Sequence, residues 1–115
     1  MRLNHQQGSA GEDAALAFLE AQGCKLIARN WHCPFGEIDL IVKHGKILVF
    51  VEVRYRRSKA FGGAAASITP AKLAKLSRSI DYYLQTHKLG NPSCRLDAVL
   101  IEGNQTPRWL TNITG

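Results

Sequence analysis

The sequence predicts an α/β fold in which a central mixed sheet is flanked by helices, in the order α-β-β-β-α-β-β. Three observations carry that expectation. Two apolar stripes recur at helical spacing, several runs either alternate with period two or are apolar throughout, and glycine or proline punctuates the joints between them. At 115 residues the chain is expected to form one domain, residues 1–115, large enough to bury a core without disulfide or metal staples.

The elements follow in order. Ser9-Ala10-Gly11-Glu12 has the S-x-x-E form of a capping box, and Ala14, Ala15, Phe18, Leu19 and Ala21 then make an apolar stripe before Gly23. A first helix starting near Ser9 is expected. Residues 24–31 read as a strand, and Pro34-Phe35-Gly36 turns the chain into a hairpin. Residues 60–67 are small and glycine-rich, which predicts a mobile loop. Thr69 then caps a second helix with Pro70 at its first position and Leu73, Leu76, Ile80, Tyr83 and Leu84 as its buried face; Lys72, Lys75, Ser79 and Tyr82 take a more polar face. After Gly90-Asn91-Pro92, residues 95–101 read as a strand buried on both sides, and a short strand around Trp109 closes the order.

The hairpin holds the most informative residues. Gly36-Glu37-Ile38-Asp39-Leu40-Ile41 and Val49-Phe50-Val51-Glu52-Val53-Arg54 place carboxylates in runs that otherwise read as buried strand. An unpaired buried carboxylate is costly, so such acids need partners, and a metal ion is a common one for a cluster. A two-residue turn at His44-Gly45 would set Lys43 opposite Lys46, Asp39 opposite Phe50 and Glu37 opposite Glu52. Glu37, Asp39, Glu52 and Arg54 would then share a face, with Asp39 and Glu52 as diagonal neighbours roughly 7–8 Å apart at the backbone. A three-residue turn would put Asp39 and Glu52 on opposite faces. The competing reading of both acids is structural ion pairing with Arg54 and Arg56. Glu37, beside them, suits a solvated rim acid.

A formal charge of +6 and a pI near 9.6 point to an anionic partner, most simply nucleic acid. The basic residues Arg54, Arg56, Arg57 and Lys59 are clustered directly after the acidic strand. No apolar run approaches a membrane span and Met1-Arg2-Leu3-Asn4-His5-Gln6 lacks a signal-peptide core, so a cytoplasmic protein with no membrane partner is expected. Cys24, Cys33 and Cys94 have no paired spacing, which suits reduced thiols, and His32-Cys33 alone does not make a zinc site. Thr69 and Lys72 stand at a helix start, where backbone N–H groups favour phosphate, with a plain cap and a solvated lysine as the simpler alternative. Tyr55 suits either base stacking or edge-strand packing. Asp97 is explained by a salt bridge with Arg95.

Glu37-Ile38-Asp39-Leu40-Ile41, Val49-Phe50-Val51-Glu52-Val53-Arg54, Gly62-Gly63, the helix capped by Thr69 and Arg95-Leu96-Asp97-Ala98-Val99 together resemble the YraN-like family of uncharacterised bacterial proteins, from about Gly11 to the end of the chain. That family is in turn similar to the PD-(D/E)XK nuclease superfamily, whose fold is restriction-endonuclease-like and which includes Holliday junction resolvases. The resemblance implies that Asp39 and Glu52-Val53-Arg54 occupy the superfamily signature, with Arg54 where lysine is usual. It implies a Mg²⁺- or Mn²⁺-dependent endonuclease acting on nucleic acid, with DNA the first expectation. Asp39, Glu52 and Arg54 would be the catalytic set. Asp39, Glu52 and the carbonyl of Val53 would hold the metal, with Glu12 an extra candidate ligand as in related resolvases. Arg56, Arg57, Lys59, Thr69 and Lys72 would bind the nucleic acid. Two-fold dimers among relatives that cut two strands make a homodimer a further expectation.

The chemistry behind that assignment is general. Phosphodiester hydrolysis uses a cation held by carboxylates with open positions to neutralise phosphate oxygens and acidify water. Arginine stays charged at neutral pH and cannot take a proton from water, so Arg54 fits an electrostatic role. The alternative is a non-catalytic nucleic-acid-binding module in which Arg54 marks a lost active site. A protein-interaction domain that uses its acids only structurally stands third.

Overall fold

The computed structural model describes residues 3–57 and 63–114, with side chains from residue 11 onward. The order is α1 (Leu3–Ala21), β1 (Cys24–Cys33), β2 (Gly36–His44), β3 (Ile47–Arg56), a 3-10 turn at Ala65–Ser67, α2 (Pro70–Thr86), β4 (Cys94–Glu102) and β5 (Arg108–Leu110). The five strands form one sheet in sequential order. Only the β3–β4 pair is parallel, because α2 carries the chain back across the sheet between those strands. This is the mixed sheet flanked by helices that the sequence predicts.

Each helix covers one face. Ala15 and Leu19 of α1 pack on Leu40, Val42, Val49, Val51, Val99 and Ile101. Leu76 and Tyr83 of α2 pack on Ile38, Ile41, Leu48, Phe50 and Leu96. The central strands are therefore buried on both sides, and Phe50 and Val51, which are neighbours in sequence, are both at 0% exposure. No helix of the described residues is long and apolar enough to cross a membrane.

Three local expectations are corrected. The first helix begins at Leu3, not near Ser9, so Ser9 and Glu12 lie inside it and the capping box does not form. Nothing in Leu3-Asn4-His5-Gln6-Gln7 stops a helix, and Gly8 costs only about 1 kcal/mol relative to alanine. The hairpin turn is Gly45-Lys46, giving His44↔Ile47, Val42↔Val49 and Leu40↔Val51. Gly45 has φ +63 while Lys46 is not among the positive-φ residues, the type II′ pattern that wants glycine first. The register thus slides by two residues, which preserves parity and brings Asp39 level with Glu52 instead of Phe50. Finally, the segment after β3 is not all shapeless. Lys59, Ala60, Phe61 and Gly62 lie outside the described residues, but Ala64 is at 0% exposure and Ala65–Ser67 is a 3-10 turn.

α2 begins as expected. Thr69 Oγ1 accepts the Lys72 N–H at 3.2 Å, with Pro70 next. Its polar face is less polar than expected, since Ser79 is buried and donates its hydroxyl to the Lys75 carbonyl at 3.1 Å.

Candidate metal and nucleic-acid site

Strand alternation breaks at Asp39. Leu40 packs under α1, yet Ile38, two residues earlier, packs under α2. The ladder between β2 and β3 ends at Leu40↔Val51, and beyond it the Asp39 carboxylate replaces the next rung. Its Oδ2 accepts the Val53 N–H at 2.8 Å. The N–H and C=O of a strand residue project to the same side, so the Val53 carbonyl faces the same opened gap.

A cleft of about 630 Å³ occupies this gap. Its carboxylates are Glu12, Glu37, Asp39 and Glu52; its basic groups are Arg54, Arg56, Arg57 and Lys72. Glu12 from α1, Glu37 and Asp39 offer oxygens all within 4.8 Å of one another. Glu52 stands apart from that trio. It is 1% exposed, and its Oε2 lies 3.1 Å from Arg54 Nη1 and 3.5 Å from Lys72 Nζ. Asp39 is thus the hub, and among the described residues it has no cationic partner. Its carboxyl is pushed up to about 8: burial contributes most, the charge of Glu52 next, and Glu12 and Glu37 add to it, while the Val53 hydrogen bond opposes the rise.

The expected residues separate clearly. Asp39, Glu52, Val53 and Arg54 come together in the cleft, and Glu12 joins them from the middle of α1. Arg56 and Arg57 are exposed at its lining. Thr69 caps α2, and Lys72 Nζ lies 3.5 Å from Glu52 Oε2. Lys59 lies outside the described residues. Structural pairing of Glu52 with Arg54 is present, but Arg56 bonds only weakly to the Tyr55 carbonyl, at 3.5 Å.

Two contributors go beyond what the sequence suggests. Glu37 is not a solvated rim acid but belongs to the trio, because the break at Asp39 turns it toward α1; the E-x-D spacing is the available signal. Ser67 orients Arg54, accepting from Nε at 2.7 Å while donating to the Ala64 carbonyl at 2.6 Å. Nothing local to Ser67 announces an interaction with a residue on a preceding strand.

The profile described as "Uncharacterised protein family UPF0102" matches residues 11–101. The chain belongs to this family. A UPF0102 protein of Neisseria gonorrhoeae (strain NCCP11945) is 69% identical over 115 residues, covering 100% of both chains. UPF0102 proteins of Nitrosomonas eutropha and Shewanella loihica are 48% identical over 112 residues and 45% identical over 106 residues, covering 97% and 92% of this chain and 96% and 91% of their own. The UPF0102 match begins at Gly11 and takes in every carboxylate of the cleft.

Proposed function

We propose that this UPF0102 protein binds nucleic acid, DNA first, and hydrolyses its phosphodiester bonds with a divalent cation, as a resolvase-like endonuclease. The observation that carries the reading is the opened end of the β2–β3 ladder, where Asp39, Glu52 and the Val53 carbonyl line one cleft beside basic side chains. The donor set is all oxygen, which suits Mg²⁺ or Mn²⁺, and the acids crowded around Asp39, with no cationic partner for it among the described residues, suit a cation. Asp39, Glu52 and Val53 would hold it, with Glu12 and Glu37 close enough to Asp39 to contribute. When bound, the cation would neutralise phosphate oxygens and acidify the attacking water.

The chain's own groups have separable tasks. Arg54, aimed by Ser67 and Glu52, presents permanent positive charge to a phosphate in the cleft. Lys72 brings a lysine amine from α2 to the same carboxylate, so the lysine absent from the strand has a counterpart in space. Arg56 and Arg57 hold the flanking backbone, a sequence-independent task.

A non-catalytic binding module is the second reading, favoured by the two cations of the chain that already neutralise Glu52. A cleavage panel over duplex, flap, junction and single-stranded substrates with Mg²⁺ or Mn²⁺ decides between them. Cleavage abolished by Glu52→Gln supports the endonuclease; salt-sensitive binding with no cleavage on any substrate supports the module. Arg54→Lys is expected to retain or raise cleavage, and Arg54→Ala to abolish it with substrate binding little changed.

A further inference from the structure

Two large rings stand exposed beside the turn that leads into β2. Phe35 is 43% and Tyr82 38% exposed, and they meet edge to face with centroids 6.0 Å apart. They are not loosely held. Tyr82 also lies 6.1 Å from Trp31, whose ring packs edge to face on buried Tyr83 at 5.1 Å. Phe35 lies in the turn two residues before Glu37, and the rings sit on the α2 side of the sheet, the side from which Lys72 reaches Glu52. On α2, Lys75, Arg78 and Tyr82 fall on one face at i, i+3 and i+7, and both basic residues are exposed. Lys72, in the cleft, lies about 15 Å along the helix axis from Tyr82. Basic side chains therefore run from the carboxylates toward the rings.

We propose that Phe35 and Tyr82 form a stacking platform for unpaired bases, so that the cleft takes nucleic acid with a single-stranded segment beside the scissile phosphate. This rests on the nucleic-acid reading above and adds the substrate class to it. In a fully paired duplex, base faces are covered by their neighbours; an unpaired base offers a face, and aromatic side chains accept it whatever the sequence. The platform receives bases a short way along the strand from the carboxylates, with α2 as the track between them. Lys75 and Arg78 neutralise the phosphates between.

Binding without cleavage tests it, by fluorescence anisotropy in EDTA with a labelled single strand, a flap of the same sequence and the fully paired duplex. Phe35→Ala and Tyr82→Ala are expected to weaken single-strand and flap binding about tenfold each, and duplex binding less than about twofold. Phe35→Leu and Tyr82→Leu, which keep apolar bulk without a ring face, should match the alanine variants, and Tyr82→Phe should retain wild-type affinity. Leu110→Ala, at the opposite edge of the sheet, should change nothing. Unchanged single-strand affinity in the ring variants, equal losses on duplex and single strand, or a Tyr82→Phe variant as weak as Tyr82→Ala would overturn the platform while leaving nucleic-acid binding in place. A wild-type protein that binds none of the three probes would overturn both.

Discussion

Asp39 and Asp97 are both aspartates set into apolar strands of one sheet, and they are treated in opposite ways. Asp97, at 0% exposure, receives Arg95 Nε at 2.9 Å, Trp109 Nε1 at 2.9 Å and the Asn112 N–H at 2.9 Å. Asp39 receives one backbone N–H and faces Glu12, Glu37 and Glu52. The first is a closed network whose charge is fully answered, the second an open one whose charge is not. Burial alone does not separate the two acids. The number of donors left to be supplied does.

Removing each acid should make the contrast measurable. Asp97→Ala leaves Arg95 without its buried partner and two further donors without an acceptor, and is expected to destabilise the fold by about 3–5 kcal/mol in urea unfolding. Asp39→Asn should leave stability near neutral pH unchanged or raise it, because it removes repulsion among acids. A destabilisation at Asp39 as large as that at Asp97 would break the comparison.

Cation linkage comes next in size. Mg²⁺ or Mn²⁺ at a hundredfold excess over Kd should stabilise the wild type by about 2.7 kcal/mol and leave Asp39→Asn nearly unaffected, read as a shift in thermal unfolding. Without metal, pH sharpens the same point. A carboxyl raised from its ordinary 3.8 to about 8 on folding makes the folded state hold more protons than the unfolded one across that window. Stability contributed by Asp39 is therefore greatest at low pH and lost as pH rises from near 4 through 8, so the gap favouring Asp39→Asn should widen over this interval and flatten above it.

The smallest effect belongs to the exposed arginines. Replacing Arg56 and Arg57 together by alanine should weaken binding alike across sequences and lower the slope of log K against log salt by about 0.9 for each duplex phosphate that is no longer neutralised. Fold stability should not move.

How much of this is legible in the sequence depends on the range of the interaction. Pro70 and Thr69 announce the start of α2, and the Arg95–Asp97 pair is visible as neighbours on one strand face, because the physics in each case is local. Parity puts Asp39 and Glu52 on one side of the hairpin, and it survives a two-residue error in the turn because such a slip restores the face. Parity fails at Ile38, where a side chain displacing a ladder rung turns the strand over. The approach of Lys72 to Glu52 and of Ser67 to Arg54 is not legible, since both depend on where α2 and the turn before it land on the sheet. Glu12 is legible as an acid but mistaken for a cap, because Ser9 through Glu12 satisfies the capping pattern without helix termination ahead of it.

The end of β3 and the turn after β4 are fastened to each other and to the chain entering α2. Gly103 donates its N–H to the Arg56 carbonyl at 2.8 Å, and Glu102 Oε2 accepts the Ala64 N–H at 3.0 Å. The fastening is tight enough that a Cβ on Gly103, which has φ +60, would lie 3.0 Å from the Arg57 carbonyl oxygen. Arg56 on one side and Ala64 on the other are thus fixed to the sheet. Doubling the length of a flexible loop between two fixed points adds only about 0.6 kcal/mol of closure entropy. The fold therefore carries, beside its cleft, a pair of fixed points between which added chain length is thermodynamically inexpensive and leaves undisturbed the carboxylates that the strands hold.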